Sequence, residues 1–193
     1  MNSADWDERY RSTPLVWSDG PNRFLPERIS DVTPGDALDL ATGEGRNALW
    51  LASLGWNVTA VDYSSVAIDK ARLISGERGL RVDWMVADLL SWQPQRTYDL
   101  VIEFYLHLPA GHLRDIHRKA VNAVGPGGRL IIVGHDVANL DRGQGGPQDP
   151  AVLFTVDGLT TDVEGLDVLE AAQLERQLEG GIAIDTVLVA ERA

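Results

Sequence analysis

The stretch Leu38-Asp39-Leu40-Ala41-Thr42-Gly43-Glu44-Gly45-Arg46-Asn47 decides the fold. The apolar run from Ala37 to Ala41 reads as a short buried strand, Gly43 and Gly45 pin a tight turn, and a helix begins at once behind it. Glycine adopts backbone angles closed to other residues and carries no side chain, so a ligand can lie directly against the main chain. The N–H groups of the new helix's first turn then point at whatever sits there. That is a nucleotide-binding layout.

Working outward, the next strand, Asn57 to Val61, ends in Asp62. A carboxylate about 20 residues past a glycine turn, at the tip of the second strand, is placed to accept hydrogen bonds from both ribose hydroxyls, so the ligand is expected to contain an unphosphorylated ribose. From Asp36 the chain alternates strand and helix, the signature of a parallel sheet covered on both faces. Ala48, Leu51 and Ala52 form the stripe of a first helix that Gly55 ends, and Ser64 or Ser65 caps a second carrying Ala67, Ala71 and Ile74 inward. Arg81 to Val86 is a third strand running into Ala87-Asp88-Leu89, and Leu100 to Ile102 a fourth. Pro109 opens a helix with the stripe Leu113, Ile116, Ala120 and Val124, stopped by Gly125-Pro126-Gly127-Gly128. A fifth strand, Arg129 to Val133, ends in Gly134-His135-Asp136.

Val137 to Pro150 is a Gly/Asp/Gln-rich loop long enough to be functional or mobile, and residues 136–150 are expected to act as a flexible substrate loop. Leu166 to Leu178 fits a helical stripe through Ala171, Leu174 and Leu178, but Gly180-Gly181 followed by Ile182, Ile184 and Val187-Leu188-Val189 reads as a hairpin turn and a final buried strand. Ahead of the first strand, short helices are predicted over about Ala4 to Arg11 and Pro21 to Ser30, with Trp6 and Tyr10 on one helical face.

At 193 residues, 44% hydrophobic and 24% charged, the chain fits one globular domain. No apolar run approaches the roughly 18 residues of a membrane span. The opening Met-Asn-Ser-Ala-Asp-Trp-Asp-Glu lacks the basic start and apolar core of a signal peptide, so a cytoplasmic location is expected. Zero cysteines exclude disulfides, thiolate metal sites and a cysteine nucleophile. A formal net charge of -12 argues against a nucleic-acid partner, because phosphate contacts need basic surface. A small-molecule substrate and no membrane partner are expected; oligomeric state stays open, a homodimer being one arrangement.

Three places carry candidate chemistry. Asp88, at the tip of the third strand, either caps a turn or accepts from an adenine amine while Leu89 packs on the base. His107 follows the fourth strand, where ligands meet open α/β sheets, and a capping or core role there is the alternative, whereas His112 and His117 fit the solvated face of the next helix. His135 and Asp136 share one rim at the end of the fifth strand. If a hydroxyl is the acceptor, a base must take its proton, and histidine titrates near neutral pH. The same pair offers N and O ligands to a divalent metal, but two ligands do not make a site; the alternative is that both anchor the following loop.

The spelling Asp-Leu-Ala-Thr-Gly-Glu-Gly-Arg-Asn fits the dinucleotide fingerprint poorly and resembles the first motif of class I S-adenosylmethionine-dependent methyltransferases, in the small bacterial branch with tellurite-resistance and thiopurine-type enzymes. Ala41 stands where that family usually has glycine, adding one methyl near the cofactor. The resemblance implies a single Rossmann-like α/β domain, with a seven-stranded, mostly parallel sheet, an antiparallel last strand and helices on both faces; it also decides for a strand pair joined at Gly180-Gly181. It implies S-adenosyl-L-methionine as cofactor. Asp39, Ala41, Gly43, Gly45 and Arg46 would face its methionine end, Asp62 and Tyr63 its ribose, and Ala87, Asp88 and Leu89 its adenine. Glu103 to Pro109 would flank sulfonium and substrate, placing Glu103 on the cofactor and Tyr105 and His107 on the acceptor. Residues 1–35 would form a helical lid, with Trp17 nearest the cofactor and Tyr10 near the substrate. Arg142, in the loop after His135, would shape the acceptor pocket.

The reaction implied is methyl transfer to a small acceptor, leaning to an oxygen nucleophile with His135 and Asp136 as the catalytic pair and a sugar hydroxyl among the candidates; sulfur, nitrogen and tellurium acceptors stay open. An NAD-binding oxidoreductase would need a constellation such as Tyr-x-x-x-Lys, which this chain lacks, and a non-catalytic cofactor sensor would keep Asp62 and Asp88 but dispense with His135. Asp62→Ala is expected to weaken cofactor binding by roughly 1 to 3 kcal/mol in calorimetry, and an unchanged affinity would refute the ribose role.

Overall fold

The computed structural model describes residues 3–16 and 19–193; Trp17 lies outside them. In chain order the elements are α1 (Ser3–Arg11), α2 (Leu25–Arg28), β1 (Asp36–Leu40), α3 (Arg46–Ser53), β2 (Asn57–Asp62), α4 (Ser65–Glu77), β3 (Val82–Val86) and β4 (Tyr98–Phe104). They continue with α5 (Ala110–Ala123), β5 (Val124–His135), α6 (Asn139–Arg142), a 3-10 turn (Pro150–Val152), α7 (Val156–Asp162), β6 (Asp167–Leu178) and β7 (Gly181–Glu191). The seven strands form one sheet in the order β3-β2-β1-β4-β5-β7-β6. β1 to β5 pair in parallel, and β7 slots between β5 and β6 antiparallel to both.

The central strands are apolar on both faces because both faces are covered. One core gathers Phe24, Leu25, Ala48, Leu51 and Trp56 with Ala60, Ile102, Ile131 and Val187 on the side of α2 and α3. The other gathers Leu113, Ile116, Phe154 and Leu159 with Leu40, Val101, Ile132 and Leu188 on the side of α5 and α7. No helix among the described residues is long and apolar enough to cross a membrane. Strand order reverses between β1 and β4, and in open α/β sheets the crevice outside the carboxyl ends at such a switch point is where ligands bind.

Several boundaries differ from the sequence reading for identifiable reasons. β1 stops at Leu40 because Ala41 takes a left-handed backbone at φ 56°. Val124 opens β5 rather than closing the stripe of α5, and the glycines after it form an irregularity in the pairing, with Tyr98 opposite Val124 and Leu100 opposite Arg129. In α4 the buried positions are Ala67, Ile68, Ala71 and Ser75, leaving Ile74 half-buried. Asp167–Leu178 form a strand, since a partner strand is available after the Gly180 turn at φ 88°. The Val137–Pro150 segment contains α6, held where Asn139 Oδ1 accepts the Ile184 amide at 2.7 Å and Asn139 Nδ2 donates to the Gly145 carbonyl at 2.9 Å.

Gly45 shows why the turn has its spelling. Its φ is 78°, and a Cβ there would sit 2.3 Å from the Trp84 ring and 3.2 Å from Ala71 Cβ. The second glycine is therefore required by packing of the turn against β3 and α4. Gly45→Ala is expected to destabilise the fold by about 2 to 4 kcal/mol, combining the left-handed backbone penalty with overpacking. Urea unfolding should show a smaller cost for the same change in a Trp84→Phe background.

Candidate active site

One side of the crevice is built from the carboxyl ends of β1, β2 and β3. Ala41, Gly43 and Gly45 have φ of 56°, 57° and 78°, so the chain turns left-handed three times in five residues. The Gly43 amide donates to Asp62 Oδ2 at 2.8 Å and the Ser64 amide to Asp62 Oδ1 at 2.9 Å, fixing the β2 carboxylate against the β1 turn. Burial raises the Asp62 carboxyl above its ordinary range against the pull of these amides. Asp39, which accepts the Thr42 hydroxyl at 2.6 Å, is pushed up by burial to about 7. A carboxyl in that condition suits a cationic partner, which would hold it ionised. Gly45 caps α3 without a side-chain hydrogen bond, and Arg46 at the first helical position carries its guanidinium toward Asp39, Tyr105 and Tyr10.

The next loop is tied to the same place. The Ala87 amide donates to the Asp62 carbonyl at 2.9 Å, and Asp88, exposed, uses Oδ1 to accept the Leu90 amide at 2.9 Å. Capping thus occupies one oxygen of Asp88, and Leu89 is buried beside it. The Lys119 ammonium clamps this loop through the carbonyls of Leu89, Leu90 and Trp92 at 2.7, 2.8 and 3.0 Å. Tyr63, after Asp62, has its phenol pushed up to about 12 by burial and by the Asp62 charge.

The opposite rim joins β4, β5, β6 and β7. Tyr105, directly after β4, takes a left-handed φ of 61° and donates its hydroxyl to Asp185 Oδ2 at 3.1 Å. Arg176 Nε donates to the same oxygen at 2.7 Å, with its guanidinium 5.8 Å from the Tyr105 ring centre. His135 Nδ1 stands 3.1 Å from Asp185 Oδ1, close but outside hydrogen-bonding alignment, and neither atom has a hydrogen-bond partner among the described residues. Burial works to raise the Asp185 carboxyl, but His135 and Arg176 outweigh it and hold it below the usual range. The His135 ring stacks on His107 at 5.4 Å, and a Cβ on Gly146 would fall 2.6 Å from His135 Cδ2, so the loop backbone closes over the imidazole. His107 is held neutral, burial lowering it to about 4; its Nδ1 bonds the Val152 carbonyl at 2.9 Å.

Residues 37–128 match the family described as "Methyltransferase domain". Over that stretch, and in its fold, the chain is similar to class I S-adenosylmethionine-dependent methyltransferases. The ubiquinone biosynthesis O-methyltransferase of Rickettsia felis is 30% identical over 111 residues, 56% of this chain and 44% of that protein. A probable S-adenosyl-L-methionine-dependent methyltransferase, TehB of Haemophilus influenzae, is 26% identical over 104 residues, 53% of this chain and 36% of that protein. The chain thus spans less than half the length of these curated relatives. Its fold matches the crystal structure of TehB with a TM-score of 0.77 at 18% identity, covering 100% of this chain and 68% of the other. It matches equally the N-methyltransferase NodS of Bradyrhizobium japonicum with bound S-adenosyl-L-homocysteine, at 0.77 and 18% identity, covering 98% and 99%. The cofactor of the domain is S-adenosyl-L-methionine, and the buried Asp39 and Asp62 carboxyls beside a main-chain turn suit its ammonium and ribose hydroxyls.

Within this methyltransferase domain some predicted site residues lie elsewhere. Asp136 is 2% exposed and fully committed: Oδ2 accepts the Thr186 hydroxyl at 2.6 Å, and Oδ1 accepts the Ala138 amide and Gln173 Nε2, both at 2.8 Å. It anchors the loop, and the proposed His135–Asp136 metal pair is not assembled. Strand register explains the separation: His135 faces Asp185, while Gln173 pairs with Thr186 on the alternate face. Arg142 is exposed and bonds Gln173 Oε1 at 2.6 Å, away from His135. Glu103 is 0% exposed, with Oε1 3.2 Å from His117 Nε2 and Oε2 without a partner among the described residues, so its carboxylate is closed to the cofactor. Tyr10 is buried, stacked on Trp6 at 5.5 Å, and within electrostatic reach of Arg46. Asp185 and Arg176 escaped the sequence reading; the one signal was an aspartate inside the apolar run Ile182 to Ala190.

His117 reverses its expected exposure. It is 1% exposed, with Nδ1 2.9 Å from Asp162 Oδ2 on α7 and Nε2 facing Glu103 on β4. Burial alone would lower its imidazole, but the Glu103 and Asp162 carboxylates outweigh it and push it up to about 10. A raised folded value makes the charged imidazole stabilising below its unfolded value of about 6.5, with that contribution lost as pH rises toward 10. Urea unfolding at pH 6 and pH 9.5 should therefore show the folding constant falling roughly tenfold or more, with a flatter profile in His117→Gln.

Proposed function

We propose that the domain transfers the S-adenosylmethionine methyl to a hydroxyl of a small acceptor, with His135 as the base. The observation that carries this reading is the His135–Asp185 contact at the carboxyl end of β5, 3.1 Å across, beside the left-handed Tyr105. With Nδ1 turned to the carboxylate, Nε2 is the nitrogen left to accept a proton. The O-methyltransferase name of the Rickettsia felis relative supports the same acceptor atom.

In this reading Asp62 accepts from the ribose hydroxyls, the free oxygen of Asp88 from the adenine amine, and Leu89 packs on the base. Asp39, Ala41, Gly43, Gly45 and Arg46 hold the methionine end, while Tyr63 and Ala87 flank ribose and adenine. Bound there, the cofactor supplies an electrophilic methyl on a sulfonium. Tyr105 and His107 align the acceptor hydroxyl for in-line displacement, in which an oxygen–carbon bond forms as the sulfur–carbon bond breaks. His135 Nε2 takes the hydroxyl proton, and Asp185 stabilises the resulting imidazolium. A small-molecule acceptor rather than a nucleic acid agrees with the net charge of -12.

A sulfur, nitrogen or tellurium acceptor is the second reading, since a softer nucleophile needs less help from a base. Methyl transfer assayed over hydroxyl, thiol and amine acceptors separates the two. For a hydroxyl acceptor His135→Ala is expected to lower kcat about 10²- to 10⁴-fold with little change in cofactor affinity. Full activity in that variant would sink the base assignment.

A further inference from the structure

The turn residue Glu44 lies between the two glycines that shape the cofactor site, yet its carboxylate faces elsewhere. It is 4% exposed; Oε2 accepts the Val16 amide at 2.8 Å and Oε1 accepts Lys70 Nζ at 2.9 Å. The Lys70 ammonium, projecting from α4, also donates to the Thr13 carbonyl at 2.7 Å and to the Tyr10 carbonyl. At the other end of the same segment, Asp7 Oδ1 accepts the Ser64 hydroxyl at 2.5 Å and the Val66 amide at 3.4 Å. Ser64 in turn caps α4 and donates its amide to Asp62. Residues 7–16 are thus pinned at one end to the glycine turn and at the other to the ribose-binding tip of β2. Residues 22–31 are held differently, by Asn47 on the Asn22 amide and by a two-pronged Arg28–Glu170 ion pair on β6.

We propose that Glu44 and Lys70 form a latch that couples docking of residues 7–16 to occupation of the cofactor turn, which makes both of them positioning residues for the cofactor. The main chain of Gly43-Glu44-Gly45 serves the cofactor, and its one side chain serves the N-terminal segment. A ligand that orders this main chain orders the Glu44 carboxylate, and through it the Val16 amide and the Lys70 ammonium. Linkage makes the effect reciprocal: a docked segment holds the turn in its cofactor-binding shape. The carbonyls of Tyr10 and Thr13 are what the ammonium recognises, so the latch reads backbone and tolerates changes in those side chains. The inference rests on the turn binding S-adenosylmethionine, not on the identity of the acceptor.

Hydrogen exchange of the full chain with and without S-adenosylhomocysteine, beside calorimetric affinities, tests it. In the wild type the ligand should slow exchange over residues 7–16 about tenfold, the usual size of such coupling. Lys70→Met and Glu44→Gln should each bind the ligand about tenfold more weakly and lose the ligand-dependent part of that protection. A purely structural role would lower the melting temperature of the variants and leave both ligand-dependent quantities unchanged, which overturns the proposal. Equal exchange over residues 7–16 with and without ligand in the wild type overturns it as well, whether or not the variants fold. Failure of the wild type to bind the ligand at all would instead sink the cofactor assignment.

Discussion

The hydrogen bond from the Gly43 amide to Asp62 joins the two strand ends on which the site is built. It requires a left-handed turn, because only that geometry brings the β1 exit back over the tip of β2. Glycine accepts such a turn without cost, whereas Ala41 at φ 56° carries strain of about 1 to 2 kcal/mol. The strain sits at the exit of β1, and the surrounding strands, buried on both faces, hold it in place. From this join the Ala87 amide on the Asp62 carbonyl extends the site to β3, and Glu44 extends it to the N-terminal segment.

Two buried charge clusters divide the work on the far side of the sheet. Asp185, 0% exposed, collects Tyr105, Arg176 and His135 and faces the crevice. Glu103, His117 and Asp162 lie beneath it and tie β4, α5 and α7 together. Buried ions cost several kcal/mol of desolvation each unless their partners are well placed. Losing one member of either cluster strands the others, so these groups define the arrangement of the last third of the chain even where they add little net stability. The two lysines play a related part: each ammonium gathers carbonyl oxygens, Lys70 from residues 10 and 13 and Lys119 from residues 89, 90 and 92.

Local sequence carries the features that depend on neighbours along the chain. The glycine turn, the alternation of strand and helix, and Asp62 and Asp88 at successive strand tips were legible, because backbone conformation and periodicity are written within a few residues, whereas the strand before Gly180 has a helical stripe locally and was read as a strand through the family resemblance. His135 was legible as a rim residue by its position at a strand end. The partners of that rim were not. Asp185 is 50 residues from His135 and meets it only through the antiparallel β5–β7 register, while Asp136, adjacent in sequence, points to the opposite face and is consumed by Thr186 and Gln173.

By itself, then, the sequence determined an alternating α/β framework with a glycine turn after β1 and carboxylates at successive strand tips, since these rest on turn geometry and apolar periodicity, while its likeness to class I methyltransferases lay in the spelling of residues 39–47. Only the tertiary structure decided that His117 is buried between Glu103 and Asp162, and that Asp185 rather than Asp136 stands beside His135. Charge pairing across a sheet depends on strand order and register, and a one-residue change of register moves every side chain to the other face.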